Sequence, residues 1–133
     1  VVREAMAACD AGGVKAMHDP TEGGLATGVR ELARRARLGV RVNLAAIKVF
    51  DETRAICRHF SLDPLGLIAS GSLLVVTAAD AAERVRKAVE ASGVDCAEIG
   101  EMTDEDDLVL VTADGERPWP AFERDEIAKL FEA

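Results

Sequence analysis

Apolar residues at Leu25, Val29, Leu32, Ala33 and Ala36 recur with a helical period and predict one long amphipathic helix over residues 20–37. Arg30, Arg34 and Arg37 fall on another side of that helix, with Arg35 beside them, and are read as a solvated face. Glu31 precedes Arg35 by four residues, a spacing that favours an ion pair. Gly39 closes the helix. Val40-Arg41-Val42-Asn43-Leu44 then alternates with period two, the pattern of a half-buried strand. Upstream, residues 2–11 read as a short helix with Ala5, Met6 and Cys9 on its inner side, ended by Gly12-Gly13. Residues 14–18 make a short strand that runs into the long helix.

The second half has the same rhythm. A helix over 51–59 is expected to start on Asp51 and to turn Ala55, Ile56 and Phe60 inward. Residues 61–66 break it, and Asp63 before Pro64 starts at most one further turn. Ala69-Ser70-Gly71 is a small-residue loop. The run Leu73-Leu74-Val75-Val76 is short, branched and uninterrupted, which predicts a central strand buried on both faces. Asp80 and Glu83 have the spacing of a capping box for a helix with Val85, Ala88 and Val89 inside. Gly93 stops that helix, and Glu83–Lys87 and Arg86–Glu90 are spaced to pair. Strands are expected at 96–102 and 108–112, joined by an acidic tip, with a turn at 113–116. Pro118-Trp119-Pro120 is rigid, with Trp119 as a plug over the core. A last helix at 123–132 would contact the body through Ile127, Leu130 and Phe131.

The order α-β-α-β-α-β-α-β-β-α predicts an α+β domain. Two β-α-β units, 14–44 and 72–101, placed side by side give a partial ferredoxin-like core of four strands with helices on one face. The remaining helices cover the other face, making three α/β/α layers.

Composition narrows the function classes. The 133 residues are 49% apolar, enough for one domain, 1–133. Aromatics are 4% and Tyr is absent, so the core must be built from Leu, Val, Ile and Ala. No run approaches the ~18 apolar residues of a membrane span, and residues 1–30 lack the basic-then-apolar order of a signal peptide. Cys9, Cys57 and Cys96 form no C-x-x-C pair and read as small buried residues in a reducing cytoplasm. Net charge −8 argues against a nucleic-acid module. The charge is uneven: residues 1–50 carry eight Lys/Arg against five Asp/Glu, and residues 51–133 carry eight against nineteen. The Asp104–Asp107 run lacks the alternating ligands and central Gly of an EF-hand, so no metal site is expected.

Candidate chemistry concentrates at His18-Asp19-Pro20-Thr21-Glu22-Gly23-Gly24. With Asp19 as N-cap, Pro20 takes the first helical position and Glu22 reaches back to the cap. The two glycines do not serve that purpose, since each weakens a helix by about 1 kcal/mol relative to Ala. Two accounts stay open. Gly24 and Gly28 form a smooth stripe for close packing, or bare backbone N–H groups at an open helix start receive an anion such as phosphate. His18, at the strand end, is read as structural.

Residues 18–28 resemble the Asp-Pro-Thr-x-Gly-Gly-Leu-Ala signature of the aminoimidazole ribonucleotide (AIR) synthetase superfamily, in the C-terminal domain of those proteins. The branch most similar is HypE and related AIR-synthase-like proteins. Leu62-Asp63-Pro64-Leu65 followed by Ile68-Ala69-Ser70-Gly71, the strand near 73–77, and Ile99-Gly100-Glu101-Met102-Thr103 agree in order. The resemblance implies the AIR synthetase (PurM) C-terminal-domain fold and a fragment of a longer two-domain protein. It implies an N-terminal domain as partner that dimerises, binds most of the ATP and holds Mg. This domain would then form one wall of the nucleotide and substrate cleft and be inactive alone, with Asp19, Thr21, Gly23 and Gly24 organising the phosphate end. ATP and Mg are thus expected only with that second domain, and the alternative is a regulatory or scaffold module that keeps the fold. Two departures accompany the match. The family pattern commonly has Arg where Glu22 stands, and a carboxylate there repels an anion. The HypE branch ends in a carbamoyl-carrying cysteine, and residues 97–133 contain none.

Overall fold

The computed structural model describes residues 1–131. Helix α1 (Val2–Ala11) leads to strand β1 (Val14–His18), helix α2 (Gly24–Ala36) and strand β2 (Gly39–Asn43). Helix α3 (Asp51–Phe60) and strand β3 (Leu74–Thr77) follow, then helix α4 (Ala82–Ala91). Strands β4 (Gly100–Thr103), β5 (Leu108–Thr112) and β6 (Gly115–Pro118) complete the sheet elements. Single 3-10 segments lie at Leu44–Ala46, Ala79–Ala81 and Glu126–Phe131.

The α+β class holds, with open sheets. The two β-α-β units pair strand to strand, β1 with β3 and β2 with β4, each antiparallel, whereas the expected ferredoxin-like core would set β1 and β3 parallel. They do not share one four-stranded sheet. Among the described residues β1 and β3 form a two-stranded ladder, while β4-β2-β5-β6 form a separate sheet. In that sheet β5 runs parallel to β2, and β6 closes a hairpin on β5. The strand at 74–77 is therefore half-buried at the edge of a pair, not central and doubly covered. Residues 115–118, expected to be a turn and an extended proline segment, supply the outer strand. Arg41 of β2 and Glu116 of β6 form an ion pair across the intervening β5.

Two apolar clusters divide the packing. Ala8 of α1, Val85 and Val89 of α4 and Ala81 pack on Val14, Met17 and Val75 of the small ladder. Val29 and Ala33 of α2 pack with Val40, Val42, Leu110 and Trp119 over the larger sheet. Trp119 is the plug that the sequence indicated: it is 5% exposed and its indole N–H donates to the Ala26 carbonyl at 2.9 Å. The aliphatic residues supply most of the rest, as a chain without Tyr requires.

Several local expectations fail because tertiary contacts outrank local pattern. The inner side of α1 centres on Ala8, and Met6 and Cys9 face solvent. Cys57 is buried and Cys96 half-buried, so only Cys57 is the fully enclosed thiol. In α3 it is Cys57 that turns inward, whereas Ala55, Ile56 and Phe60 are exposed. Asp51 lies within the first turn of α3 and Phe50 takes the cap position. The capping box at 80–83 does not form, because 79–81 is a 3-10 turn and no side chain caps α4. The Arg86–Glu90 and Lys87–Glu83 pairs do form. Residues 96–99 run beside β2 without joining the ladder, though Ile99 accepts a hydrogen bond from Asn43. The C-terminal helix is a short 3-10 segment, and Ile127, Leu130 and Phe131 are exposed. Its expected last position, Glu132, lies outside the described residues.

Candidate functional site

The antiparallel register of β1 and β3 places His18 opposite Leu74. The loop that leaves β1 and the loop that enters β3 must therefore meet at one edge of the ladder. These loops, 19–24 and 67–73, contain the motif glycines and the small-residue stretch Ala69-Ser70-Gly71 singled out in the sequence. Their contact is backbone to backbone. The Ala69 N–H donates to the Thr21 carbonyl at 3.2 Å, and the Ala26 N–H donates to Leu65 at 2.8 Å.

The helix does not begin where the motif suggests. Residues 19–21 continue as irregular chain, 22–23 turn, and α2 starts at Gly24 with Gly23 as its N-cap. Asp19 is not the cap, Pro20 is not at the first helical position, and Glu22 does not close a capping box. Gly23 and Gly24 both have positive φ, 74° and 60°, which lets the chain reverse within two residues. Pro20 is buried beneath the helix instead, against Gly28.

The glycines answer the packing question. A Cβ on Gly24 would land on the carbonyl oxygens of Leu65 and Leu67, and one on Gly28 would meet Pro20 at 2.9 Å and Leu74 at 3.0 Å. Gly24 thus packs on the second loop rather than on the sheet, and Gly28 packs on the β1–β3 edge.

Nor is the helix start open. The Gly23 N–H donates to Asp125 Oδ2 at 2.8 Å, and the Gly24 N–H donates to the Thr21 carbonyl at 3.0 Å. The anion at this helix N-terminus is the chain's own carboxylate, in the place where the dipole favours it. The other oxygen, Asp125 Oδ1, accepts from Ile68 N–H at 3.1 Å and from Ile127 N–H at 2.9 Å. Next to it Glu126 is 3% exposed; its Oε2 accepts from Asp63 N–H and its Oε1 pairs with Lys129. Burial alone pushes the Glu126 carboxyl up, but Lys129 and the Asp63 N–H together hold it below the usual range. Sequence reading placed Asp125 and Glu126 inside a helix and assigned them no role. The local signal was an acid two residues before Ile127, which marks a turn start; nothing local marks a partner 102 residues away.

At this edge Asp19, Thr21 and Glu22 are exposed, as are Ser70, Gly71 and Ser72 of the facing loop. Gly23 and Gly24 are buried. The rim therefore offers hydroxyls and carboxylates to a ligand, while its glycine amides are already spent. His18 lies beside it and pairs with Glu31 at 2.6 Å, so the expected Glu31–Arg35 pair does not form. Arg30 donates to the Pro120 carbonyl at 2.9 Å and braces the Trp119 segment, which leaves Arg34, Arg35 and Arg37 as the wet face. Those three line a shallow basin with Glu31. A cavity of about 530 Å³ lies elsewhere, between Leu44, Leu62, Arg117, Phe122 and Lys129, and holds none of Asp19, Thr21, Gly23 or Gly24. Among the described residues no group of three His, Cys, Asp or Glu is arranged to hold a metal ion.

Comparison with known proteins agrees with this architecture. The C-terminal domain of AIR synthase related proteins matches residues 1–113. The carbamoyl dehydratase HypE of Rhizobium leguminosarum bv. viciae is 34% identical over 114 residues, which is 83% of this chain and 33% of that protein. The chain thus spans about a third of the length of that relative. Among solved structures, HypE of E. coli superposes with a TM-score of 0.85 at 28% identity, over 96% of this chain and 40% of the other. A hydrogenase maturation protein HypE in complex with ATP gives a TM-score of 0.79 at 28% identity, over 87% and 38%.

Proposed function

This chain belongs to the AIR synthase related proteins by its C-terminal domain, and from that premise we propose that it is the second wall of an ATP-dependent cleft whose first wall lies in an N-terminal domain. The observation that carries the reading is the meeting of the 19–24 turn and the 67–73 loop at one exposed, polar edge of a HypE-like fold. ATP bound to a HypE of the same fold supports nucleotide as the ligand class.

In this reading Asp19 and Thr21 face the phosphate end of the ligand through their side chains. Gly23 and Gly24 act by shaping the turn, because their N–H groups are already bonded. Residues 19–24 and 67–73 contain carboxylates and no Lys or Arg, so the positive charge that triphosphate needs would come from Mg and from the other domain. That domain also supplies any dimer contact of the parent protein. The isolated chain is inactive, and its setting is the cytoplasm. No helix among the described residues is long and apolar enough to cross a membrane.

Calorimetric titration of ATP with Mg tests the proposal. The chain joined to the N-terminal half of its parent should bind, and the chain alone should not. Absence of binding in the joined protein rejects the cleft reading. One observation favours a regulatory or scaffold module instead: the Asp125 carboxylate fills the turn where a phosphate would otherwise lie. In that case Asp19→Ala in the joined protein leaves ATP affinity unchanged.

A further inference from the structure

Three separate stretches converge on one carboxylate. Asp125 Oδ2 accepts from Gly23 in the motif turn, and Oδ1 accepts from Ile68 in the facing loop and from Ile127 in its own turn. All three partners are backbone N–H donors, and the carboxylate is the acceptor for each of them. An Asn or Ser would be enough to start the 3-10 turn at Ile127. Only a carboxylate offers an acceptor to each of the two loops as well. The adjacent residue ties the same segment to the residues before the 67–69 loop: the Glu126 N–H donates to the Gly66 carbonyl at 3.0 Å, and the Glu126 carboxylate accepts from Asp63.

We propose that Asp125 is a positioning residue of the candidate site: its carboxylate clamps the 21–24 turn to the 67–69 loop and so sets how the exposed side chains of Asp19, Thr21 and Ser70 stand toward a ligand. The part of this inference that concerns ligand affinity rests on the cleft reading above. The part that concerns loop placement does not. The clamp also fixes what the edge cannot do. With Gly23 N–H given to Asp125, an external anion is recognised here by side chains or by another domain, not by that amide.

Amide hydrogen exchange on this chain tests the clamp by atom. Asp125→Ala should speed exchange at Gly23 and Ile68 by about ten-fold or more, because both lose a charged acceptor. Asp125→Asn keeps one carbonyl oxygen for Ile68 and Ile127 but turns an NH₂ toward Gly23. It should speed exchange at Gly23 alone, while Ile68 stays within about two-fold of wild type. Val42 and Leu110 in the larger sheet report the integrity of the fold. Unchanged exchange at Gly23 and Ile68 in Asp125→Ala overturns the proposal. If Asp125→Ala unfolds, the Asn variant decides: selective opening at Gly23 supports the clamp, and uniform opening overturns it. Inorganic phosphate is then titrated into the wild type and Asp125→Ala. Binding gained only by the variant makes Asp125 a competitor of the ligand and overturns the positioning role. In the protein joined to its N-terminal half, both variants should weaken Mg-ATP binding by about ten-fold, and unchanged affinity overturns the link to the ligand. If the joined wild type binds no ATP, the cleft reading falls, and the exchange pattern alone decides the clamp.

Discussion

The backbone N–H of Gly23 is bonded to the carboxylate of Asp125, at 2.8 Å, across 102 residues of chain. This single contact changes the meaning of the glycine motif. A turn that would present bare amides to a ligand is instead closed by the protein's own acid, and the groups left exposed beside it are the side chains of Asp19, Thr21 and Glu22.

Gly24 is the position where substitution should cost most. It combines a φ of 60° with the carbonyls of Leu65 and Leu67 in the space a Cβ needs. Gly24→Ala is expected to destabilise the fold by about 2–4 kcal/mol in chemical denaturation. Gly71→Ala, also at positive φ but with open space around it, should cost about 1 kcal/mol. Equal effects at the two sites would show that conformation, and not close packing, sets the requirement at Gly24.

Trp119→Phe keeps an aromatic plug but removes the indole N–H that reaches the Ala26 carbonyl. The loss should be about 1–3 kcal/mol, from the hydrogen bond and the smaller ring together. A melting curve within error of wild type would mean that the plug acts by shape alone.

Glu126 gives the acid limb of the stability profile. Its carboxyl is pushed up by burial, but Lys129 and the Asp63 N–H outweigh that and lower it overall. A lowered folded-state pKa contributes stability that is present above the unfolded carboxylate range and is lost as pH falls through the folded value. Stability should therefore drop below roughly pH 4.5. Glu126→Gln should cost about 1–3 kcal/mol at neutral pH and flatten that drop. An unchanged acid limb in the variant would remove Glu126 from the explanation.

The thiols should separate by reactivity. Burial raises the Cys57 thiol, and the nearby Asp63 and Glu126 charges push it in the same direction. Its thiolate is accordingly scarce at pH 8, while Cys9 is exposed. Maleimide labelling followed by mass spectrometry should modify Cys9 first, and Cys57 only on the timescale of unfolding. Rapid labelling of Cys57 in the native state would contradict its burial.

Glu22 is an exposed carboxylate at the rim. In the joined two-domain protein Glu22→Arg should tighten ATP binding by roughly five-fold at low salt, and the gain should fade as salt is added. An effect independent of salt would point to a local rearrangement instead of the charge.

Periodicity located elements well and partners poorly. The run from Leu25 to Ala33 gave α2 its buried side, with Val29 and Ala33 in the core, whereas Ala36 at the end of the run is exposed. The same reasoning failed for α3. Ile56 and Phe60 are apolar at helical spacing, yet they face outward while Cys57 faces in. Apolar spacing states that a face suits burial; it does not state that a partner surface lies against it. At the motif, residue types alone could not separate packing from ligand approach, because both demand glycine.

By itself the sequence determined the α+β class, the order of elements from the first helix to β5, the Trp119 plug and the two small-residue loops. Each follows from local pattern: period, turn residues and composition act over a few neighbouring positions. The tertiary structure alone decided that the strands split into two sheets, that the loops meet beside the His18–Leu74 pair, and that Asp125 occupies the turn at Gly23. Those outcomes join residues far apart in the chain. They depend on which surfaces remain uncovered once the helices are placed, and no local spacing records that.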